Sequence, residues 1–323
     1  MGSPSSSFVY SVDLRTRFRG LTTRDGVLIR GDAGWSEFSP FWDYDHAEAR
    51  TWWRAARESA DVPWPEPVRS LIPVNVTVPA VRPEQAAQIV RDGGGCRTAK
   101  VKVAEPGQTV ADEQARLEAV RDALGPAGRV RIDANGAWDT ETALSRLALL
   151  DKAAGGLEYV EQPCATVAEL AQVRRATHVP VAADESIRRA TDPFEVARAE
   201  AADIMVLKVQ PLGGVRAALQ IAQDVGLPAV VSSALETSVG IAAGVALAAA
   251  LPELPYACGL GTVRLFTDDV AADPLIPVDG HLPVGRVEPE AEALRRCRAD
   301  AATTVRWQDR MGAMTETADR WSS

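Results

Sequence analysis

Lysine is nearly absent from this chain. Of 323 residues only Lys100, Lys102, Lys152 and Lys208 are lysine, against 31 arginines, so positive charge rests almost entirely on guanidinium groups. Histidine is rarer still, and His46, His178 and His281 all fall away from the ends of strand-like runs, which disfavours histidine-based catalysis. The four cysteines, at 96, 164, 258 and 297, show no CxxC pairing or metal spacing and read as reduced core thiols. An excess of positive charge is also missing. A net charge of -9 argues against nucleic acid or an anionic membrane as partner. The longest apolar run, residues 239–251, is too short to cross a bilayer and reads as a buried Ala-rich helix. The opening MGSPSSSF has no basic stretch followed by an apolar one, so no secretory signal is expected and the chain is read as cytoplasmic. What remains, 46% hydrophobic and 24% charged, is ordinary globular composition.

From residue 71 onward, short β-branched runs alternate with Ala/Leu/Arg-rich stretches of helical periodicity. Eight runs read as strands: 72–78, 98–103, 130–133, 158–161, 179–183, 204–208, 229–232 and 256–259. Between them, segments such as 112–124, 140–153, 167–176 and 213–225 read as helices. Strands buried on both faces and alternating with helices form a parallel sheet. Eight such units predict an α/β fold of the (β/α)8 TIM-barrel type. An open doubly wound sheet is the alternative, but no GxGxxG or Walker loop follows any strand. Residues 1–70 leave the alternation. Runs 8–18 and 26–30 read as strands joined by a polar turn at Arg24, Asp25 and Gly26, followed by a helix at about 45–60 and a Pro-rich link. The expected organisation is an α+β capping domain over 1–70, a barrel over 71–274, and a C-terminal segment, 275–323, packing back on the cap.

Barrel chemistry comes from the C-terminal ends of the strands. There the sequence places Lys100 and Lys102, then Asp133 with Asn135, Glu161, Asp184, Lys208, and Ser232 with Ser233. The three acids are 28 and 23 residues apart, about one βα unit each, so they fall on three adjacent strands. Neighbouring strands lie roughly 4.8 Å apart, close enough for three carboxylates to share one ion. Oxygen ligands without His or Cys suit a hard divalent cation, Mg²⁺ first and Mn²⁺ second. A single strand-end acid would more often be a helix cap; three in register favour a metal site. Lys102 and Lys208 then bracket the ion from either side. Lys100 and Lys102 share one face of their strand, where burial, mutual repulsion and a cation favour the neutral amine while the carboxylates favour the charged one. Arginine cannot give up its proton in this way.

This ordered set of residues resembles the enolase superfamily, and within it the muconate-lactonising subgroup, over essentially the whole chain. The resemblance implies a modified (β/α)8 barrel under an α+β cap, Mg²⁺ dependence, and proton abstraction next to a carboxylate through a metal-stabilised enediolate. The cap stretches RTRFRG (15–20) and GWSEFSP (34–40), with SSALETSVG (232–240), resemble the branch acting in menaquinone biosynthesis. That likeness implies syn dehydration of 2-succinyl-6-hydroxy-2,4-cyclohexadiene-1-carboxylate to 2-succinylbenzoate. Lys102 would be base and then acid, and Lys208 a cation on the opposite face. Asp133, Glu161 and Asp184 would be the metal ligands. Lys100, Asn135, Arg19, Ser232, Ser233, Gly259 and Gly261 would meet the substrate. Arg15, Arg17 and Arg19 alternate along the first strand, and Arg19, beside Gly20, is the one expected to face the substrate.

Other readings stay open. Racemases of N-succinyl or other N-acylamino acids use the same scaffold, with Lys208 as a second base. A dipeptide epimerase would want acids where this chain has Gly259-Leu260-Gly261-Thr262. A non-catalytic barrel binding an acidic metabolite would not need both flanking lysines. A metal-dependent hydrolase would want His ligands or a second metal. Every surviving reading takes a small carboxylate as partner.

Overall fold

The computed structural model describes residues 6–189 and 192–319. The chain opens on an antiparallel sheet of β1 (Ser7–Phe18), β2 (Leu21–Gly31) and β3 (Gly34–Phe38), followed by α1 (His46–Asp61). The first turn is not at residues 24–26, as their polarity suggests. It is the Arg19–Gly20 pair, with φ of 52° and 77°, the left-handed geometry that matches hairpin twist. Arg24, Asp25 and Gly26 lie inside β2, paired with β1. Gly26 is there for close approach, since a Cβ would meet the Tyr10 hydroxyl and the Ser39 Cβ at 2.6 Å. Asp45 caps α1 by accepting from the Glu48 amide at 2.8 Å, and the helix buries Trp52 against Phe41 and Tyr44.

The barrel strands are β4 (Leu71–Pro73), β5 (Val76–Val78), β6 (Thr98–Lys102), β7 (Arg129–Asp133), β8 (Leu157–Glu161), β9 (Val181–Ala183), β10 (Ile204–Leu207) and β11 (Ala229–Val231). Helices α2 (Pro83–Arg91), α3 (Val110–Leu124), α4 (Thr140–Ala154), α5 (Val167–Ala176), α6 (Glu185–Arg188), α7 (Glu195–Arg198), α8 (Val209–Leu212), α9 (Val215–Val225) and α10 (Ser238–Ala250) alternate with them. Capping boxes at Thr109/Asp112 and Thr166/Glu169 start α3 and α5. The strands from β5 to β11 form one parallel sheet in chain order. Two of the eight expected strands differ. The run 72–78 breaks in two: β4 turns away to pair antiparallel with β12 (His281–Pro283), and only β5 enters the parallel sheet.

The run 256–259 is not a strand. Only Cys258 and Gly259 make bridges, to Val74 at one edge and Ser232 at the other. The amides of Cys258 and Gly259 donate to the carbonyls of Pro73 (2.7 Å) and Val231 (2.8 Å), so the segment seals a curled seven-stranded sheet with a two-residue seam. After the seam come α11 (Ala291–Arg296) and α12 (Ala301–Asp319). Trp307 of α12 packs edge-on against Phe38, and Arg310 donates to the carbonyls of Pro40, Phe41 and Tyr44 in the cap. All four cysteines are free and buried, and burial pushes the Cys96 thiol up to about 11 and Cys258 to about 12. Among the described residues no helix is long and apolar enough to cross a membrane.

Candidate active site

Sheet register sets the first row of the site. Lys102 pairs with Asp133, and Asp133 with Glu161. Glu161 also pairs with Ala182, so Asp184 stands two residues beyond the row, at the start of α6. Lys208 follows β10 directly, and Lys100 sits two residues below Lys102 on the same face. All six side chains are buried. One of the turns after the acids is pinned by an amide side chain and the other by a backbone amide. Gln162 accepts from the amides of Asp184 (2.9 Å) and Ser186 (3.2 Å), and the left-handed Asn135 lies over Asp133, its amide 3.1 Å from Oδ1.

The lysines are shared out among the acids. Lys100 Nζ lies 2.9 and 3.0 Å from the Glu161 oxygens and 3.4 Å from Asp133. Lys102 Nζ donates to Asp133 Oδ2 at 2.6 Å and Asn135 Oδ1 at 2.5 Å. Lys208 Nζ donates to Asp184 Oδ2 at 2.6 Å, and Arg188 holds the other Asp184 oxygen at 2.9 Å. Burial alone would raise Asp133 and Asp184. Lys102 and Lys100 overrule it at Asp133, and Arg188 and Lys208 at Asp184, holding both carboxyls well below the usual range. Glu161 goes the other way, pushed up to about 7 by burial and by the charge of Asp133, against the pull of Lys100. Lys100 corrects an expectation: burial does favour its neutral form, but Glu161 and Asp133 outweigh burial and raise its pKa.

The expected metal trio needs the same care. Among the described residues no His/Cys/Asp/Glu group is gathered as a metal cluster, because each of the three carboxylates faces an amine instead of a common point. The donor chemistry nevertheless fits a hard cation. Three buried carboxylates lie in one patch, and Glu161 is raised by its burial first and by the charge of Asp133 second.

The cleft above this patch is lined by Lys100, Lys102, Asp133, Asn135, Lys208, Arg19, Ser232, Ser233 and Gly259, all sequence-predicted. Glu161 and Asp184 lie just beneath, through Lys100 and Lys208. Gly261 does not join them. It sits in the 3-10 turn Gly261–Leu265, close to the Asn75 carbonyl, and opens on a separate cavity; Thr262 takes its place in the cleft, hydrogen-bonded to Ser233 at 2.8 Å. The cap arginines separate as well. The β1–β2 register shifts between Asp13 and Phe18, Arg15 and Arg17 are exposed, and only Arg19 reaches the cleft, its guanidinium 4.4 Å from the Phe41 ring.

Other residues of the site went unread in the sequence. Arg188 lines the cleft, bonded to Asp184, Glu185 and the Tyr44 hydroxyl. Its spacing of four from Asp184 on a short helix was the available signal. Arg24 is buried at the cap–barrel junction and donates to the Leu235 carbonyl at 3.0 Å and to the Ser39 carbonyl. Leu235, at φ 65°, lines the cleft in a conformation a leucine adopts only when its surroundings impose it. The free volume of the cleft is only about 40 Å³, room for a few waters.

A seven-stranded curled barrel under an α+β cap, with lysines on both sides of three strand-end carboxylates, defines a class of scaffold that known proteins share. Residues 82–289 match the family described as enolase C-terminal domain-like, and residues 9–60 the family described as enolase N-terminal domain-like. The chain is 64% identical to the o-succinylbenzoate synthase of Thermobifida fusca over 304 residues, 94% of each chain. It is 53% identical to the o-succinylbenzoate synthase of Mycobacterium tuberculosis, over 95% of this chain and 92% of that one. The chain belongs to the enolase superfamily and, within it, to the o-succinylbenzoate synthase family. Among solved structures, the L-Ala-D/L-Glu epimerase of Bacillus subtilis shares its fold with a TM-score of 0.75 at 23% identity, covering 88% of this chain and 96% of its own. The muconate lactonizing enzyme of Pseudomonas fluorescens does so at 0.75 and 24%, covering 91% and 98%.

Proposed function

We propose that this enzyme is a hydro-lyase that dehydrates 2-succinyl-6-hydroxy-2,4-cyclohexadiene-1-carboxylate to 2-succinylbenzoate, a step of menaquinone biosynthesis. Identity to o-succinylbenzoate synthases over nearly the whole chain supports the reaction. The observation that carries the mechanism is the placing of Lys102 and Lys208 against Asp133 and Asp184, on either side of one buried acid patch.

Lys102 Nζ, as the free amine, takes the proton on the carbon bearing the carboxylate. The electron pair left behind moves toward that carboxylate. The ring then expels its hydroxyl group, and the same Nζ returns the proton so that it departs as water and the ring becomes aromatic. One amine serves both steps because proton and hydroxyl leave from the same face. Asn135, bonded to Lys102 Nζ, fixes where that nitrogen points. Lys208 stays charged across the ring from Lys102, held by Asp184, and stabilises negative charge spread over the ring. Lys100 contributes fixed positive charge beneath the carboxylate end, consistent with its raised pKa. Enolase-superfamily sites pair such a base with one or two Mg²⁺ ions. Here Asp133, Glu161 and Asp184 would hold the cation, which would supply positive charge beside the substrate carboxylate. Arg19, in the cap turn, closes over the succinyl arm, with Ser232, Ser233 and the Gly259 backbone on the barrel side.

A second reading, racemisation of N-succinylamino acids, draws on the same bracketing lysines, with Lys208 as the second base. Assaying the purified protein with Mg²⁺ on the cyclohexadiene substrate and on N-succinylamino acids in D₂O separates the two. The proposed function predicts fast dehydration. Racemisation with no dehydration would overturn it in favour of the second reading.

A further inference from the structure

A cavity of about 750 Å³ opens beside the cleft, bounded by β1 of the cap, β5 and α2 of the barrel, and the 3-10 turn that follows the seam. It is within the size range of small-molecule sites. It is not the active site, since none of the lysines or the three acids lines it; Thr77 alone lines both spaces. Two arginines from different elements reach it, the exposed Arg15 of β1 and the half-buried Arg264 of the 3-10 turn. Among the described residues neither side chain has a hydrogen-bond or ion-pair partner.

The acids of the same walls are largely engaged elsewhere. Asp268 is held by Arg296 at 2.7 and 3.0 Å, and Asp92 accepts from Gln88 at 2.9 Å. Asp269 accepts from the Ser238 amide through Oδ1 at 3.1 Å, but its Oδ2 is buried without a partner. The Thr77 hydroxyl and Arg264 Nε are likewise buried and unpartnered. All three atoms lie in residues that line the cavity but are themselves closed off from it, which leaves the outer guanidinium nitrogens of the two arginines as its cationic points. Between these polar points the walls are apolar, with Ile89 and Phe266 among them.

We propose that this cavity is a second ligand site, taking a small carboxylate with an apolar body. The carboxylate meets the unpaired guanidiniums of Arg15 and Arg264 in a charge-assisted contact. The ring or chain lies on the apolar walls. Its occupant stands one strand away from the chemistry, because Thr77 pairs with Lys100.

The test uses 3-bromo-4-hydroxybenzoate, whose bromine can be located by anomalous scattering in crystals of the full chain. The lysine-lined cleft also attracts a carboxylate, and the anomalous map separates the two places. The site predicts a bromine peak in the cavity near Arg264. In solution, calorimetric titration of Arg264→Met should show at least a tenfold weaker Kd for the cavity, with the dehydration kinetics of the parent retained. Arg15→Met, on an exposed strand position, gives the same comparison should Arg264→Met fold poorly. Bromine only in the cleft, ordered water alone in the cavity, or binding unchanged in both variants would overturn the proposal.

Discussion

Lys102 and Lys208 have the same side chain and different tasks, and charge-preserving substitution separates them. Lys102→Arg keeps the cation but cannot release a proton near neutral pH. Dehydration should fall by roughly 10²- to 10⁴-fold or more, the range expected for loss of a general base. Lys208→Arg keeps the charge beside Asp184, so dehydration should survive in part while any racemisation disappears. Steady-state rates on both substrates check this, and a native dehydration rate in Lys102→Arg would refute the base assignment. Arg19→Ala should raise KM and lower kcat through looser closure, with the circular dichroism of the parent. These residues were legible because lysine is so scarce: at strand ends it stands out against 31 arginines. Arg188 and Arg24 went unread: the spacing of Arg188 from Asp184 is a weak signal in an arginine-rich chain, and Arg24 carries none until its carbonyl partners are visible.

The loop from β11 to α10 shows how an element holds the site. It carries Ser232, Ser233 and Leu235 into the cleft and is gripped from the cap over its C-terminal half. Arg24 holds the Leu235 carbonyl, while Glu37 accepts from the Thr237 amide at 3.0 Å and its hydroxyl at 2.5 Å. Arg24→Lys retains the charge and loses the fork. It should cost about 1–3 kcal/mol of unfolding free energy and raise KM together; a lowered Tm with KM unchanged would disconnect the loop from substrate binding. Glu236 in the same loop is pushed up to about 7 by burial and by Glu37. Its folded pKa lies above the unfolded one, so between about 4.5 and 7 the folded state binds more proton and stability falls as pH rises. Glu236→Gln should therefore gain Tm relative to the parent at pH 8 and gain less at pH 5, read by thermal melts at both. At this scale local pattern misled three times, once where the run 72–78 splits between two sheets. Gly26 reads as a turn until Tyr10 is seen pressing on it, and 256–259 reads as a strand until its bridges prove to be two residues.

Across the whole molecule, the cap meets the barrel over the charged patch and again along α1, which reaches α8 and α9 through Arg54 and Glu58, and the order of barrel elements was plain from the alternation of runs. Seam, cap grip and second cavity were not, since they arise where segments distant in sequence touch. In the proposed function, the buried carboxylates at three strand ends would hold a cation and Lys102 would work beside it. Mg²⁺ should raise the Tm of the parent and not of Asp133→Asn, because a ligand that binds only the folded state stabilises it. The most direct measurement is the rate of 2-succinylbenzoate formation by the purified protein after EDTA treatment and again after Mg²⁺ is restored. The account predicts activity abolished by the chelator and recovered with the metal, with no recovery in Asp133→Asn, Glu161→Gln or Asp184→Asn. Full turnover in the chelated protein, or native recovery in those variants, would contradict it.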